Sequence, residues 1–301
     1  MAPNDSLAKL APCLPQLTER ECFVGTGSTQ VWSLAASCAA PSLVLVGTQR
    51  GAWVHNLVTI GLLHITGSRG DFLARLLSRE PEHPELDTLP FAQADFDRKL
   101  LRDTAHHVTR AITAHLQREL LDEERAAVLE VLYRHARNGL ALASAESTRT
   151  LRDDFSEVSA AHMPVHFLRS DAHFTHLSQL VRNNAVEVWF ADLHSVLLVR
   201  ELSRAWKKKE RRLALLQLEA DAPLASHWES APHSEEAMVI QNGLLSPLTS
   251  VLGERPDISA SLAWPNDGAR DWNAWSERLL TGEPAEAEAE ADAMASTLGL
   301  L

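Results

Sequence analysis

Residues 97–119, DRKLLRDTAHHVTRAITAHLQRE, contain neither proline nor glycine and repeat apolar residues at Leu100, Leu101, Val108, Ile112 and Leu116. That spacing lines one helix face, and it commits this part of the chain to helix. A helix with one apolar stripe must bury it on neighbours, so more helices are expected around it. Asp122 can cap a second, carrying Ala127, Val128, Val131 and Leu132 and ending or bending at Asn138-Gly139. A third begins near Ser147 and carries Leu151, Phe155 and Val158. Pro164 opens a fourth that runs to Arg182, since proline's missing N–H is harmless in a first turn. Asn183-Asn184 supplies a turn, and a long fifth helix follows from Ala185, with Val186, Trp189, Phe190, Leu193 and Leu197 sharing a broad apolar face.

Upstream the pattern changes. Between Cys22 and Leu77, short apolar runs are broken by glycine: CFVGTGS, SLVLVGT and LVTIGLLHITG, before GDFLARLL. Runs of this kind, rich in Val, Leu and Ile and bounded by Gly, Ser and Thr, fit buried strands. The expected fold is therefore mainly α: a helical bundle-like body preceded by a small α/β amino-terminal region and followed by an irregular carboxy-terminal segment. The ranges are 1–80 for the mixed region, 97–220 for the helical body, 221–280 for an irregular segment packing on it and 281–301 for an acidic mobile tail. The prolines and acids of 79–95 mark the first boundary.

Composition narrows the function classes. Cys13, Cys22 and Cys38 are the only cysteines, with no C-x-x-C and no histidine at zinc-ligand spacing, which argues against a disulfide scaffold or structural zinc. The start, MAPNDSLAKLAPCLP, lacks a basic stretch followed by an apolar core, so a reducing, cytoplasmic setting is expected. The apolar stretch from Trp32 to Val46 is interrupted by Ser33, Ser37, Pro41 and Ser42, so no membrane insertion is expected. A net charge of -12 opposes nucleic acid as a partner, because such binding is led by Lys and Arg on phosphate.

Histidine is the notable candidate ligand: five of the fourteen lie between His162 and His194. If the fourth and fifth helices fold back across Asn183-Asn184, His173 faces His194 and His166 faces Glu201. Imidazoles and a carboxylate between helices suit a divalent metal such as zinc or iron, which could act as a Lewis acid. The alternative use of these histidines is hydrogen bonding or exposure at the border of the apolar face, and neither H-E-x-x-H nor the E-x-x-H of di-iron bundles is present.

The stretch FLRSDAHFTHLSQLVRNN, through Asp171, Phe174 and Asn184, resembles part of the all-helical ligand-binding domain that follows a winged helix in some bacterial GntR-type repressors. That resemblance implies a metal-assisted sensor of small acids. It covers residues 167–184 only, and Thr175 stands where the family's metal-binding histidine is expected. Upstream, GLLHITGSRG is wing-like but follows no clear recognition helix, so no residue role is carried over.

Other features point to anions or partners. The run Arg204, Lys207, Lys208, Lys209, Arg211, Arg212 can meet phosphate or an acidic partner, form a solvated face, or pair within the molecule to the acidic tail. Gly25-Thr26-Gly27 after Cys22-Phe23-Val24 suggests a phosphate-binding turn, but Gln30 occupies the third glycine position and no acidic residue closes the following strand near Leu45. Residues 65–70, ITGSRG, are a second Gly-rich loop that could cradle an anion. Trp272 and Trp275, one helical turn apart, can anchor their segment on the body or on a partner. With no catalytic motif complete, the expected function is an accessory, adaptor or regulatory protein acting through another protein. The alternative is a metal-dependent enzyme or small-ligand binder using His166, His173, His194 and Glu201.

Overall fold

The structure, a computed structural model, describes residues 22–26, 29–47, 50–79, 96–138, 167–218, 223–241, 244–253 and 280. Along the chain these form β1 (Cys22–Thr26), α1 (Thr29–Ser37), β2 (Leu43–Gly47), α2 (Arg50–Ile65), α3 (Arg69–Leu77), α4 (Arg98–Leu116) and α5 (Asp122–Asn138). Then come α6 (Asp171–Arg182), β3 (Val186–Phe190), α7 (Val196–Lys208), β4 (Leu213–Leu218), β5 (Leu224–Ala225), β6 (Met238–Gln241), β7 (Leu244–Pro247) and β8 (Leu252–Gly253). Two compact units result: one from residues 1–49 and 162–263, the other from 50–161 and 264–301.

The first unit is built on a six-stranded sheet of order β3-β2-β1-β4-β6-β7. All neighbours pair parallel except β6 and β7, which form an antiparallel edge. A parallel sheet needs cover on both faces, and the fully buried runs CFVGT and LVLVG supply apolar side chains to both. Cys22, Val24, Val44 and Val46 share a core with Leu198, Leu202 and Trp206 of α7. Phe23, Leu43 and Leu45 alternate to the other side, where right-handed crossovers through α1 and α6 belong. The Phe167 N–H donates to Ser33 Oγ at 3.2 Å, and a His176 ring nitrogen meets the Ala40 carbonyl at 3.0 Å, so the approach to α6 and α6 itself are tied to α1 and the turn after it.

The second unit, inserted in the chain between β2 and α6, is helical. α2 is buried along most of its circumference, through Trp53, Val54, Leu57, Val58, Ile60, Leu62 and Leu63. α4 follows the periodicity read above and is capped by Asp97, whose carboxylate accepts from the N–H groups of Lys99 and Leu100. In α5 the buried Glu124 accepts both Arg118 guanidinium nitrogens at 2.7 Å and the Leu121 N–H at 2.9 Å. His55 of α2 meets His135 of α5 edge to face, with ring centroids 5.7 Å apart. Burial, then the nearby Arg134 charge, pushes the His55 imidazole down to about 4.

The expectation of a helical bundle-like body with only a small α/β region is thus corrected. Strands from residues 22 to 247 join one mixed sheet, and two of them, β3 and β4, fall inside the range expected to be all helix. In the supposed fifth helix, VEVWF is a strand and a helix begins only at Val196. Its β-branched and aromatic residues suit a strand, and Asn184 turns the chain at φ 52, ending α6. The converse holds for LVTIGLLHITG: its apolar residues belong to α2, because a helix buried nearly all round carries no polar stripe to reveal its period. The carboxy-terminal part is not irregular throughout, since β6 and β7 belong to the main sheet. The third expected helix, from Ser147, the acidic tail 281–301, and Trp264, Trp272 and Trp275 lie outside the described residues.

Candidate functional site

Strand order makes one edge of the sheet special. From β1 the chain leaves through α1 to β2 on one side, whereas β4, the other neighbour of β1, leads on to β6 on the opposite side. Connections therefore diverge at the carboxyl ends of β1 and β4, the place where open α/β sheets hold ligands. β1 reaches that edge as Gly25-Thr26, with Gly25 between Leu45 and Gln217, and α1 opens at Thr29. Gly27 and Ser28 lie outside the described residues. The glycine at 25 keeps side-chain bulk away from the edge, and the start of a helix offers N–H groups with no partner inside the helix.

The neighbouring strand ends are pinned. β2 finishes on Gly47, opposite Phe190 of β3, and the Ala191 N–H donates to the Gly47 carbonyl at 3.1 Å, continuing the pairing past the strands. Asp192 then organises a turn: its Oδ1 accepts the His194 N–H at 2.7 Å and its carbonyl accepts the Ser195 N–H at 3.0 Å. Ser195 caps α7 by accepting from Leu198. Beneath this turn the fully buried Trp228 donates its indole N–H to the Leu193 carbonyl at 2.7 Å.

The residues expected to hold a metal are distributed differently from the pairing scheme. The helical hairpin on which it depended is not formed, because the double asparagine leads into β3. His173 lies in the first turn of α6, half-buried, with its imidazole pushed down first by burial and then by the His176 charge. His194 lies in the turn after β3. Glu201 sits on α7 with its side chain 44% exposed, accepting from Arg204 at 2.7 Å. His166 lies outside the described residues. Among the described residues no three His, Cys, Asp or Glu side chains stand together as metal ligands.

The basic run is at the opposite, amino-terminal edge of the sheet. Lys209 and Arg211 reach Glu187 Oε1 of β3 at 2.7 and 3.0 Å, and Arg204 is held by Glu201, while Lys207 and Lys208 are exposed. Half of this run is therefore engaged within the first unit. The second Gly-rich loop is occupied by its own acid: Ser68 accepts the Asp71 N–H at 3.1 Å and caps α3, and Asp71 Oδ2 accepts from the Gly67 N–H at 3.4 Å. A carboxylate at that helix start disfavours a second anion.

Cys22 and Cys38 are buried free thiols, each pushed up to about 12 chiefly by burial, so neither is a thiolate nucleophile near neutral pH. No described helix is long and apolar enough to cross a membrane. The GntR-type resemblance implied an all-helical domain, and residues 167–184 instead feed a parallel sheet. No family model matches the chain, and no curated protein matches it.

Sequence reasoning passed over Asp192 and Gly47. Asp192 was hidden by reading a helix onward from Ala185, in which the segment Ala191-Asp192-Leu193-His194-Ser195 cannot be a turn, and the place of Gly47 at the sheet edge by the want of any strand partner to read. The available signal was Ser195, a good N-cap residue immediately before Val196.

Proposed function

We propose that the first unit binds a phosphate-bearing nucleotide at the carboxyl edge of its sheet, between β1 and β4. The observation that carries this is the strand order 3-2-1-4-6 with Gly25-Thr26 ending β1 at the point of divergence. In this reading the backbone at Gly25-Thr26 and the start of α1 meet the phosphates, and the rest of the ligand lies along the carboxyl ends of the strands. It belongs to the small-ligand class weighed from the sequence, moved from the histidine helices to the strand ends. Titration calorimetry of the full chain with ATP, ADP-ribose and NAD+ tests it. Binding of at least one, abolished in a Gly27→Val variant that keeps its melting temperature, supports the reading; no binding of any refutes it.

The adaptor expectation is the second reading, favoured by Leu244, which is 72% exposed on the edge strand β7. Pro247 lacks an N–H and blunts that edge, so a partner there would contact side chains more than backbone. Capture of a partner from the native host by the wild-type chain and not by Leu244→Asp would support it, and equal capture would count against that surface.

A further inference from the structure

We infer that Asp192 is the acceptor for the ribose hydroxyls of that nucleotide, and that the site therefore takes a ribose with a free 2′-hydroxyl and rejects a 2′-phosphate. The inference rests on the reading just given. In dinucleotide-binding sheets a carboxylate near the end of the second strand takes the ribose 2′-hydroxyl. Here β2 ends in Gly47, followed by Thr48 and Gln49, with no acid. The register supplies one from the adjacent strand instead. Gly47 stands opposite Phe190 and the Ala191 N–H bonds the Gly47 carbonyl, so Asp192, the next residue, follows directly beside the end of β2, one strand spacing of about 5 Å away.

Three features suit Asp192 to the task. Its carboxylate is oriented in advance, because Oδ1 is held by the His194 N–H at 2.7 Å and the Asp192 carbonyl by Ser195. Oδ2 takes no hydrogen bond from the described residues and can accept from a hydroxyl, and the side chain is partly exposed. Gly47, which ends the neighbouring strand, adds no side chain to that edge. An ionised carboxylate repels the extra charge of a 2′-phosphate, which gives the discrimination its sign.

Calorimetric titration of the full chain with NAD+ and NADP+, in wild type and Asp192→Asn, reads this directly. The expected result is NAD+ binding at least about tenfold tighter than NADP+, with the gap falling below about threefold in the variant. Wild type against 2′-deoxy-NAD+ needs no variant and should show a loss of about tenfold. Wild type that binds NAD+ with no preference over NADP+ or the deoxy analogue, or a preference that survives in Asp192→Asn, overturns the role of Asp192 and leaves the nucleotide reading standing. Failure to bind either dinucleotide or any mononucleotide overturns both.

Discussion

A Cβ on Gly61 would stand 2.7 Å from Val108 Cγ1 and 3.1 Å from the Val108 carbonyl oxygen, so α2 and α4 cross with no room for a methyl group. Alanine favours helix over glycine by about 1 kcal/mol, whereas forcing a methylene into a packed contact costs about 1–3 kcal/mol. The clash should win, because the backbone carbonyl cannot swing aside as a side chain can. Gly61→Ala is expected to lower stability by about 1–2 kcal/mol in denaturant unfolding. Adding Val108→Ala should relieve less than the whole clash.

Glu124 is 2% exposed and binds Arg118 through both guanidinium nitrogens as well as the Leu121 N–H. Glu124→Gln keeps the shape and removes the charge, leaving a donor NH2 group facing donors. A loss of about 2–3 kcal/mol is expected in the same measurement. Arg118→Ala should cost less than removal of the buried partner's charge, because Arg118 is 46% exposed, although it leaves the Glu124 carboxylate less well satisfied.

His55 is held neutral, with its folded value near 4 against an ordinary 6.5. Between those values the unfolded chain binds the proton more readily, so stability rises with pH across the window and is lost as pH falls from 6.5 through 4. His55 as a residue is only partly buried, which limits the effect to about a few kcal/mol at most. Relative to His55→Gln, wild type should lose stability steadily from pH 7 to pH 4 in urea titrations. Parallel curves for the two proteins would contradict this.

Trp228 supports the turn that carries Asp192, through its bond to the Leu193 carbonyl. Trp228→Phe leaves that buried carbonyl without its donor and opens a small cavity, so a loss of about 2–3 kcal/mol is expected in thermal unfolding. Nucleotide affinity should fall as well. Unchanged affinity at reduced stability would separate the turn from binding.

Local patterns in the chain determined much of the secondary structure. The runs CFVGT and LVLVG are apolar on both faces as buried parallel strands must be, and α4 and α5 show a stripe at helical period with capping acids before or at their starts. Two segments were ambiguous for opposite reasons. α2 hides its period because nearly every side is buried, and Val186, Trp189, Phe190, Leu193 and Leu197 fit a helix face by coincidence, being spread over a strand, a turn and a helix.

Only the tertiary structure decided that β1 lies between β2 and β4, that residues 50–161 interrupt one sheet, and that Asp192 stands beside the end of β2. Strand partners here stand opposite one another although as much as 192 positions apart in the chain, as Phe23 and Leu215 are, and such pairing leaves no local periodicity to read. A window of sequence records which face of an element is apolar; it does not record which distant element covers that face.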